Sequence, residues 1–189
     1  MLVSRRYGRK MGLVRHYSHL ARYRLGVFAP LKAVNWGSVR RLVFVCKGNI
    51  CRSPYAEAKA RKMDLTSSSF GLDASAGVPA NPAAIKAALA RGVDMSPHAA
   101  RTADIMDLVS GDLLAAMESS QARVLQSVAL PAGVQVTLLG LWCTPPRPHL
   151  EDPFGLSADY FDTCFALIDD ALVCISTHMR KRDSVALAR

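Results

Sequence analysis

The stretch Leu42-Val43-Phe44-Val45-Cys46-Lys47-Gly48-Asn49-Ile50-Cys51-Arg52-Ser53-Pro54 decides the fold. Leu42 to Val45 is a short continuous apolar run, the pattern of a parallel strand covered on both faces. Ser53-Pro54 opens a helix, with Ser as cap and Pro in the first turn. That helix runs through Ala56-Glu57-Ala58 to about Met63. A cysteine therefore ends a strand, and the loop after it leads into a helix start. In open α/β sheets ligands bind at the carboxyl ends of strands. The helix start adds free backbone N–H groups and the positive end of the dipole. Gly48 and Asn49 tolerate the backbone angles that a concave anion nest requires. The expected ligand is a phosphate or another tetrahedral oxyanion.

Working outward, strand and helix patterns alternate. Phe70 to Ala76 reads as a second strand, and Pro82 to Arg91 as a second helix ended by Gly92. Leu113 to Met117 and Val134 to Leu139 are two more strands, with a helix from about Ser119 to Val128 between them. Ser157 to Met179 is a long last helix, followed by a short basic tail over 181–189. Such alternation predicts an α/β fold with a parallel sheet. The chain has 189 residues, 50% hydrophobic and 21% charged, an ordinary globular mix. A domain of roughly 150 residues buries about 70% of its unfolded surface, so folding needs no metal or disulfide. No run approaches the roughly 18 apolar residues of a membrane span. Five scattered cysteines do not make a disulfide scaffold, and no signal-peptide core is visible. The expected compartment is the reducing cytoplasm.

The field that favours an anion also favours a thiolate at Cys46, which could then attack phosphorus. Arg52 has a planar fork that can hold two phosphoryl oxygens. Ser53 can donate its hydroxyl to the sulfur. The bland alternatives are a chance Cys-x5-Arg spacing, or Cys46 and Cys51 as half of a zinc site. No second Cys/His pair stands at zinc spacing, and the motif falls at a strand–loop–helix junction.

Cys46-Lys47-Gly48-Asn49-Ile50-Cys51-Arg52-Ser53-Pro54, followed by Ala56-Glu57-Ala58, resembles the low-molecular-weight protein tyrosine phosphatases. The likeness continues at Ser75-Ala76-Gly77, Leu138-Leu139-Gly140 and Asp152-Pro153, over about residues 40–178. It implies a four-stranded parallel sheet with helices on both faces. It implies a reaction without metal or cofactor, through a cysteinyl-phosphate, that releases inorganic phosphate. By position Cys46 is the nucleophile, Arg52 the phosphate clamp and Asp152 the general acid. Lys47, Gly48, Asn49, Ile50, Cys51 and Ser53 form the substrate loop, and Phe154 is the main candidate to stack on a substrate ring. Asp152 also makes sense alone: a carboxylic acid beyond the fourth strand can protonate a departing phenolate, then activate water. Trp142 is expected in the core, and Glu151 lacks the family position.

Three competing readings remain. Arsenate reductases share the loop but need further redox cysteines, and none lies between Cys51 and Cys143. Protein-arginine phosphatases tend to carry Thr where Ile50 stands. A phosphotyrosine-binding adaptor would not need Cys46, Arg52 and Asp152 together. Cys51 is either a reversible disulfide partner for Cys46 or a small buried residue. His98 reads as a structural hydrogen-bonder and His149 as a loop residue. Asp159, Asp162, Asp169 and Asp170 read as a solvated helix face. Gly140-Leu141-Trp142 and the run from Asp152 to Ser157 look most like the bacterial branch associated with exopolysaccharide export. There the implied partner is a membrane tyrosine autokinase.

Residues 1–39 form a basic extension to the phosphatase domain at 40–180. Residues 1–41 hold ten of the 24 Lys and Arg and no acid, leaving 14 basic against 15 acidic residues elsewhere. A nearly neutral folded part speaks against a nucleic-acid binder. Val14, Tyr17, Ala21, Leu25 and Phe28 recur at helical spacing, Pro30 would end that helix, and Val34 to Val39 reads as a linker. A basic amphipathic helix suits an anionic membrane surface, which would place the protein at the inner face of the membrane. A transit peptide, a solvated tail or a later start at Met11 are the alternatives. Catalysis is expected to survive removal of the extension, because every residue assigned to chemistry lies at Cys46 or beyond.

Overall fold

The computed structural model describes residues 2–103 and 108–187, with side chains as far as Lys181. In chain order its elements are α1 (Leu2–Tyr7), α2 (Lys10–Arg24), α3 (Ala29–Lys32), β1 (Arg41–Cys46) and α4 (Arg52–Lys62). Then come β2 (Ser67–Gly71), α5 (Pro82–Leu89), β3 (Asp112–Ala116), α6 (Ser119–Ser127), β4 (Gln135–Leu138) and α7 (Ala158–Leu187). The strands form one parallel sheet in the order β2-β1-β3-β4. All of β3 and all of β1 after Arg41 are buried. Successive side chains on a strand point to opposite faces, so both faces are covered. The four-stranded parallel sheet read from the sequence is present, and Cys46 ends its central strand β1.

The second strand lies earlier than the apolar pattern indicates. Ser67, Ser68 and Ser69 carry no hydrophobic signal, yet all three are buried in β2. Glu57 of α4 compensates two of them: Ser67 Oγ donates to its backbone oxygen at 3.1 Å and Ser69 Oγ to Oε2 at 2.5 Å. Helix α4 starts at Arg52 with Cys51 as its cap residue, so Ser53 does not cap it. At α5 the pattern is regular: Asn81 Oδ1 accepts from the N–H of Ala83 at 2.9 Å and Ala84 at 3.2 Å, with Pro82 behind it. Helix α7 continues past Met179 to Leu187, so 181–187 prolongs a helix, and residues 188 and 189 lie outside the described ones. Asp169 and Asp170 are not simply solvated. Asp169 accepts from Tyr55 Oη at 2.8 Å, and Asp170 accepts from the N–H of Thr144 at 2.6 Å.

The N-terminal segment is docked on the domain. Little local favours α2: Arg22 and Arg24 in its last turn suit the helix dipole, but it has no acid in its first turn and no side-chain cap at Arg9. Packing therefore holds it. The apolar stripe does not face the protein: Val14, Tyr17 and Leu25 are 61%, 57% and 80% exposed, and only Phe28 enters the core. The inward side carries Gly12, His16, His19 and Tyr23, with Leu13 and Leu20 half-buried beside them. Pro30 does not end α2, which stops at Arg24; it sits inside the first turn of α3. Val34 to Val39 is no free linker. Trp36 stacks on His178 and meets Trp142 edge-on, each at 4.8 Å, and the Asn35 N–H donates to Gln135 Oε1 at 2.8 Å.

Candidate active site

The loop between β1 and α4 closes around the sulfur of Cys46. The N–H of Asn49 donates to Sγ at 3.2 Å, and Ser53 Oγ lies 3.0 Å from it. Asn49 takes the left-handed φ of 53°, which an Asn tolerates better than most residues. Gly48, the other candidate for such a backbone, does not adopt a positive φ. The glycine the loop requires is Gly71. A Cβ there would stand 2.5 Å from Lys47 O and 2.9 Å from Asn49 N, so its bare backbone lets β2 lie against the loop.

Beneath the loop runs a fully buried polar relay. Asn49 Oδ1 accepts from the Arg101 N–H at 2.9 Å, which fixes the orientation of the amide. Nδ2 then donates to Ser53 Oγ and to Ser69 Oγ, both at 2.8 Å. Ser53 Oγ already accepts one hydrogen, which leaves its own hydrogen for the sulfur. Glu57, paired with Arg61 and Arg101, anchors the far end through Ser69. His98 Nε2 donates to Asn49 O at 2.8 Å. Burial lowers its pKa against the opposing pull of that bond, so the ring is neutral and its role structural, as the sequence suggests.

Arg52 is 1% exposed. Its Nη1 donates to Glu118 Oε1 and to Leu150 O, each at 2.7 Å, and its Nη2 lies 2.9 Å from Asp152 Oδ2. Burial opposes its charge, but Asp152 and Glu118 outweigh burial and raise its pKa. Its Nε is buried without a hydrogen-bond partner. A buried, charged donor held this way is suited to an anion.

Above the loop a cavity of about 250 Å³ is lined by Cys46, Lys47, Gly48, Ile50, Cys51, Arg52, Asp73, Asp152 and Phe154. The side chains of Asn49 and Ser53 lie under the loop, which they support. Phe154 is 56% exposed at the rim, where a ring can stack on it. Lys47 is exposed, with Nζ 3.8 Å from Asp73 Oδ2. Cys51 is buried 3% exposed, and burial first, then Asp152 and Cys46, push its thiol well above the usual range. It is a neutral thiol. Among the described residues no group of three His, Cys, Asp or Glu side chains is placed to hold a metal ion.

A family model for low molecular weight phosphotyrosine protein phosphatase matches residues 41–185. The chain belongs to this family. It is 32% identical over 131 residues to the low molecular weight protein-tyrosine-phosphatase Wzb of Salmonella typhi, covering 68% of this chain and 87% of that one. The solved Wzb of Escherichia coli K30 in complex with sulphate superposes with a TM-score of 0.62 at 25% identity, over 78% of this chain and 99% of that one. A YwlE arginine phosphatase bearing a phosphorylated active-site serine superposes with a TM-score of 0.61, also at 25% identity, over 75% and 96%.

Several parts of this phosphatase site are not visible as a motif. Glu118, Ser69 and Arg101 are separated from the loop in sequence and meet it only once the chain is folded. Glu151, which the family resemblance leaves without a role, is 4% exposed and ion-paired to Arg9 and Arg15 of the extension. Among the described residues no helix is long and apolar enough to cross a membrane.

Proposed function

We propose that this phosphatase hydrolyses phosphotyrosine on proteins through a cysteinyl-phosphate, with Asp152 as general acid and no metal. Cys46 Sγ attacks phosphorus, forming the S–P bond as the bond to the tyrosyl oxygen breaks. The phosphoryl oxygens are taken by the loop N–H groups and by Arg52, whose orphan Nε supplies a donor that no protein group uses. Asp152 gives its proton to the departing phenolate oxygen. Its carboxylate then takes a proton from water as that water attacks phosphorus and the S–P bond breaks. Ser53 donates to the returning thiolate, and inorganic phosphate leaves.

The observation that carries this reading is the convergence of Cys46, Arg52 and Asp152 on one cavity from a strand end, a helix start and a distant loop. Ile50 and Phe154 on its wall favour an aromatic substrate over a guanidinium. The test is hydrolysis of a phosphotyrosine peptide by the full chain in the presence of a chelator. Turnover should be retained there and abolished in Cys46→Ser. Faster turnover of a phosphoarginine peptide would move the assignment to arginine phosphatases. Binding of phosphate analogues without turnover would favour the adaptor.

The likeness to the exopolysaccharide branch supports a membrane tyrosine autokinase as the source of the phosphotyrosine. The exposed Leu2, Met11, Val14, Tyr17 and Leu25 stand among Arg5, Lys10 and Arg24, also exposed. That surface suits reversible docking on anionic lipid at the inner face of the membrane, at about 1 kcal/mol for each basic residue engaged.

A further inference from the structure

Glu151 immediately precedes Asp152, and its carboxylate is gripped from three sides. Arg9 Nε lies 3.0 Å from Oε1. Arg15 Nη1 donates to Oε1 at 2.9 Å and to Oε2 at 3.1 Å. His149 Nε2 donates to Oε2 at 3.0 Å. Burial alone would raise this carboxyl group, but the hydrogen bonds of His149 and Arg15 outweigh it and bring the pKa down to about 2. The group is ionised and committed to these partners.

Two of those partners come from the N-terminal segment, Arg9 as the cap residue of α2 and Arg15 within it, and no described residue of that segment lines the cavity at Cys46. Their close seating is built in. Gly12 of α2 rests on the Glu151 side chain, and a Cβ at that position would come within 3.4 Å of Cγ and 2.0 Å of Tyr7 O. Gly8 turns the chain with a φ of 76° between α1 and α2, where a Cβ would stand 2.6 Å from Leu156 Cδ1. Arg147 donates to Arg6 O at 3.3 Å, and Thr163 Oγ1 donates to Arg5 O at 2.9 Å. On the other side the catalytic core holds the preceding residue: Leu150 O accepts from Arg52 at 2.7 Å, and the Leu150 N–H donates to Met117 O at 3.0 Å. The backbone entering Asp152 is thus fixed by Arg52 at Leu150 and by the extension at Glu151.

We propose that Arg9 and Arg15 are positioning residues for the general acid: by holding Glu151 they set how Asp152 reaches the leaving-group oxygen. This rests on the reading of Asp152 as that acid. A proton donor must stand within hydrogen-bond reach of the departing oxygen, and misplacement by about 1 Å costs on the order of 100-fold in rate. The extension is then part of the catalytic unit, and its removal would not leave catalysis intact, contrary to what the sequence suggests.

The test is the full chain carrying Arg9→Gln and Arg15→Gln. Both arginines are about half exposed, at 50% and 47%, but their loss leaves the buried Glu151 carboxylate with His149 alone, so thermal unfolding of each variant is measured beside the kinetics. Two substrates are compared: phenyl phosphate, whose leaving group needs a proton, and 2,4-dinitrophenyl phosphate, whose leaving group departs without one. The kcat/KM for phenyl phosphate, which reports the step that expels the leaving group and not the later hydrolysis of the cysteinyl-phosphate, should fall at least about tenfold, with less than about a twofold change in kcat/KM for the dinitrophenyl ester. Inhibition by inorganic phosphate should not weaken. Glu151→Gln should reproduce the pattern, and Arg15→Lys should retain most of the rate. Equal losses on both substrates would mean that Arg9 and Arg15 only stabilise the fold, and unchanged rates on both would also overturn the proposal. Asp152→Asn is measured in parallel. If it lacks the leaving-group selectivity, the acid reading fails and takes this proposal with it. If it has the selectivity and the arginine variant does not, only the positioning role fails.

Discussion

Arg52 Nη2 and Asp152 Oδ2 lie 2.9 Å apart, so guanidinium and carboxylate pair with each other in the lining of the cavity. A phosphoryl group entering there competes with the Asp152 carboxylate for the same guanidinium. Asp152→Asn should therefore bind inorganic phosphate more tightly, by up to about fivefold, the ~1 kcal/mol that a partly exposed ion pair is worth. The same variant should lose roughly 100- to 10,000-fold in turnover of phenyl phosphate. Competitive inhibition constants and kcat measured together check this. Weaker phosphate binding in the variant would show that Asp152 does not compete for Arg52.

Acid should release the N-terminal helices before it unfolds the sheet. Burial, then Arg147 and Arg6 with His149 and His19 near them, lower the pKa of His16 from 6.5 to about 4. A His bound neutral contributes stability that is whole above pH 6.5 and is lost as pH falls toward 4, because the undocked segment binds the proton first. Glu151 adds a second loss lower down, from its ordinary 4.5 toward about 2. Amide hydrogen exchange, corrected for its intrinsic pH dependence, should show protection of 2–24 declining between pH 6.5 and 4 while β1 and β3 stay protected. Uniform protection across that window would contradict the docking described.

Gly71→Ala should damage the loop from a position that does not itself line the cavity. Its Cβ would press on Lys47 O and Asn49 N, both backbone atoms that cannot yield without moving the nest. Overpacking of this kind costs about 1–3 kcal/mol. Thermal unfolding should register that loss, and inhibition by phosphate should weaken with it. Full phosphate affinity in the variant would show that the loop does not need that close approach.

Membrane docking is best tested with the extension left in place, since it also grips Glu151. Val14→Asp with Leu25→Asp changes two side chains that are 61% and 80% exposed and should leave the fold unaltered. The unaltered chain should sediment with vesicles rich in anionic lipid at low salt and be released as the Debye length shrinks to about 8 Å near physiological salt. The double variant should stay in solution. Equal sedimentation of both would remove that face from the account.

The anion loop was legible in the sequence because its chemistry needs rare residue types at a fixed junction: Cys46 ending an apolar strand and Arg52 starting a helix. The second strand was not, because Ser67 and Ser69 are buried by pairing with Glu57, and a polar run has no hydrophobic period to read. Helix α2 misled for the opposite reason. Its contact side is Gly12, His16, His19 and Tyr23, so the apolar period of Val14, Tyr17 and Leu25 marks the solvent side. The grip of Arg9 and Arg15 on Glu151 joins residues more than 130 positions apart. No local pattern encodes such a contact. Gly71 was equally silent, since its need arises only when β2 packs against the loop.

The central claim is that Cys46 carries the phosphoryl group between two half-reactions. Rapid acid quench of the full chain turning over a phosphotyrosine peptide, followed by peptide mass mapping, tests it directly. The account predicts one phosphoryl group on the peptide containing Cys46, accumulating further in Asp152→Ala assayed with an activated aryl phosphate, and absent in Cys46→Ser. Turnover with no phosphoryl group on Cys46, or turnover surviving in Cys46→Ser, would contradict it.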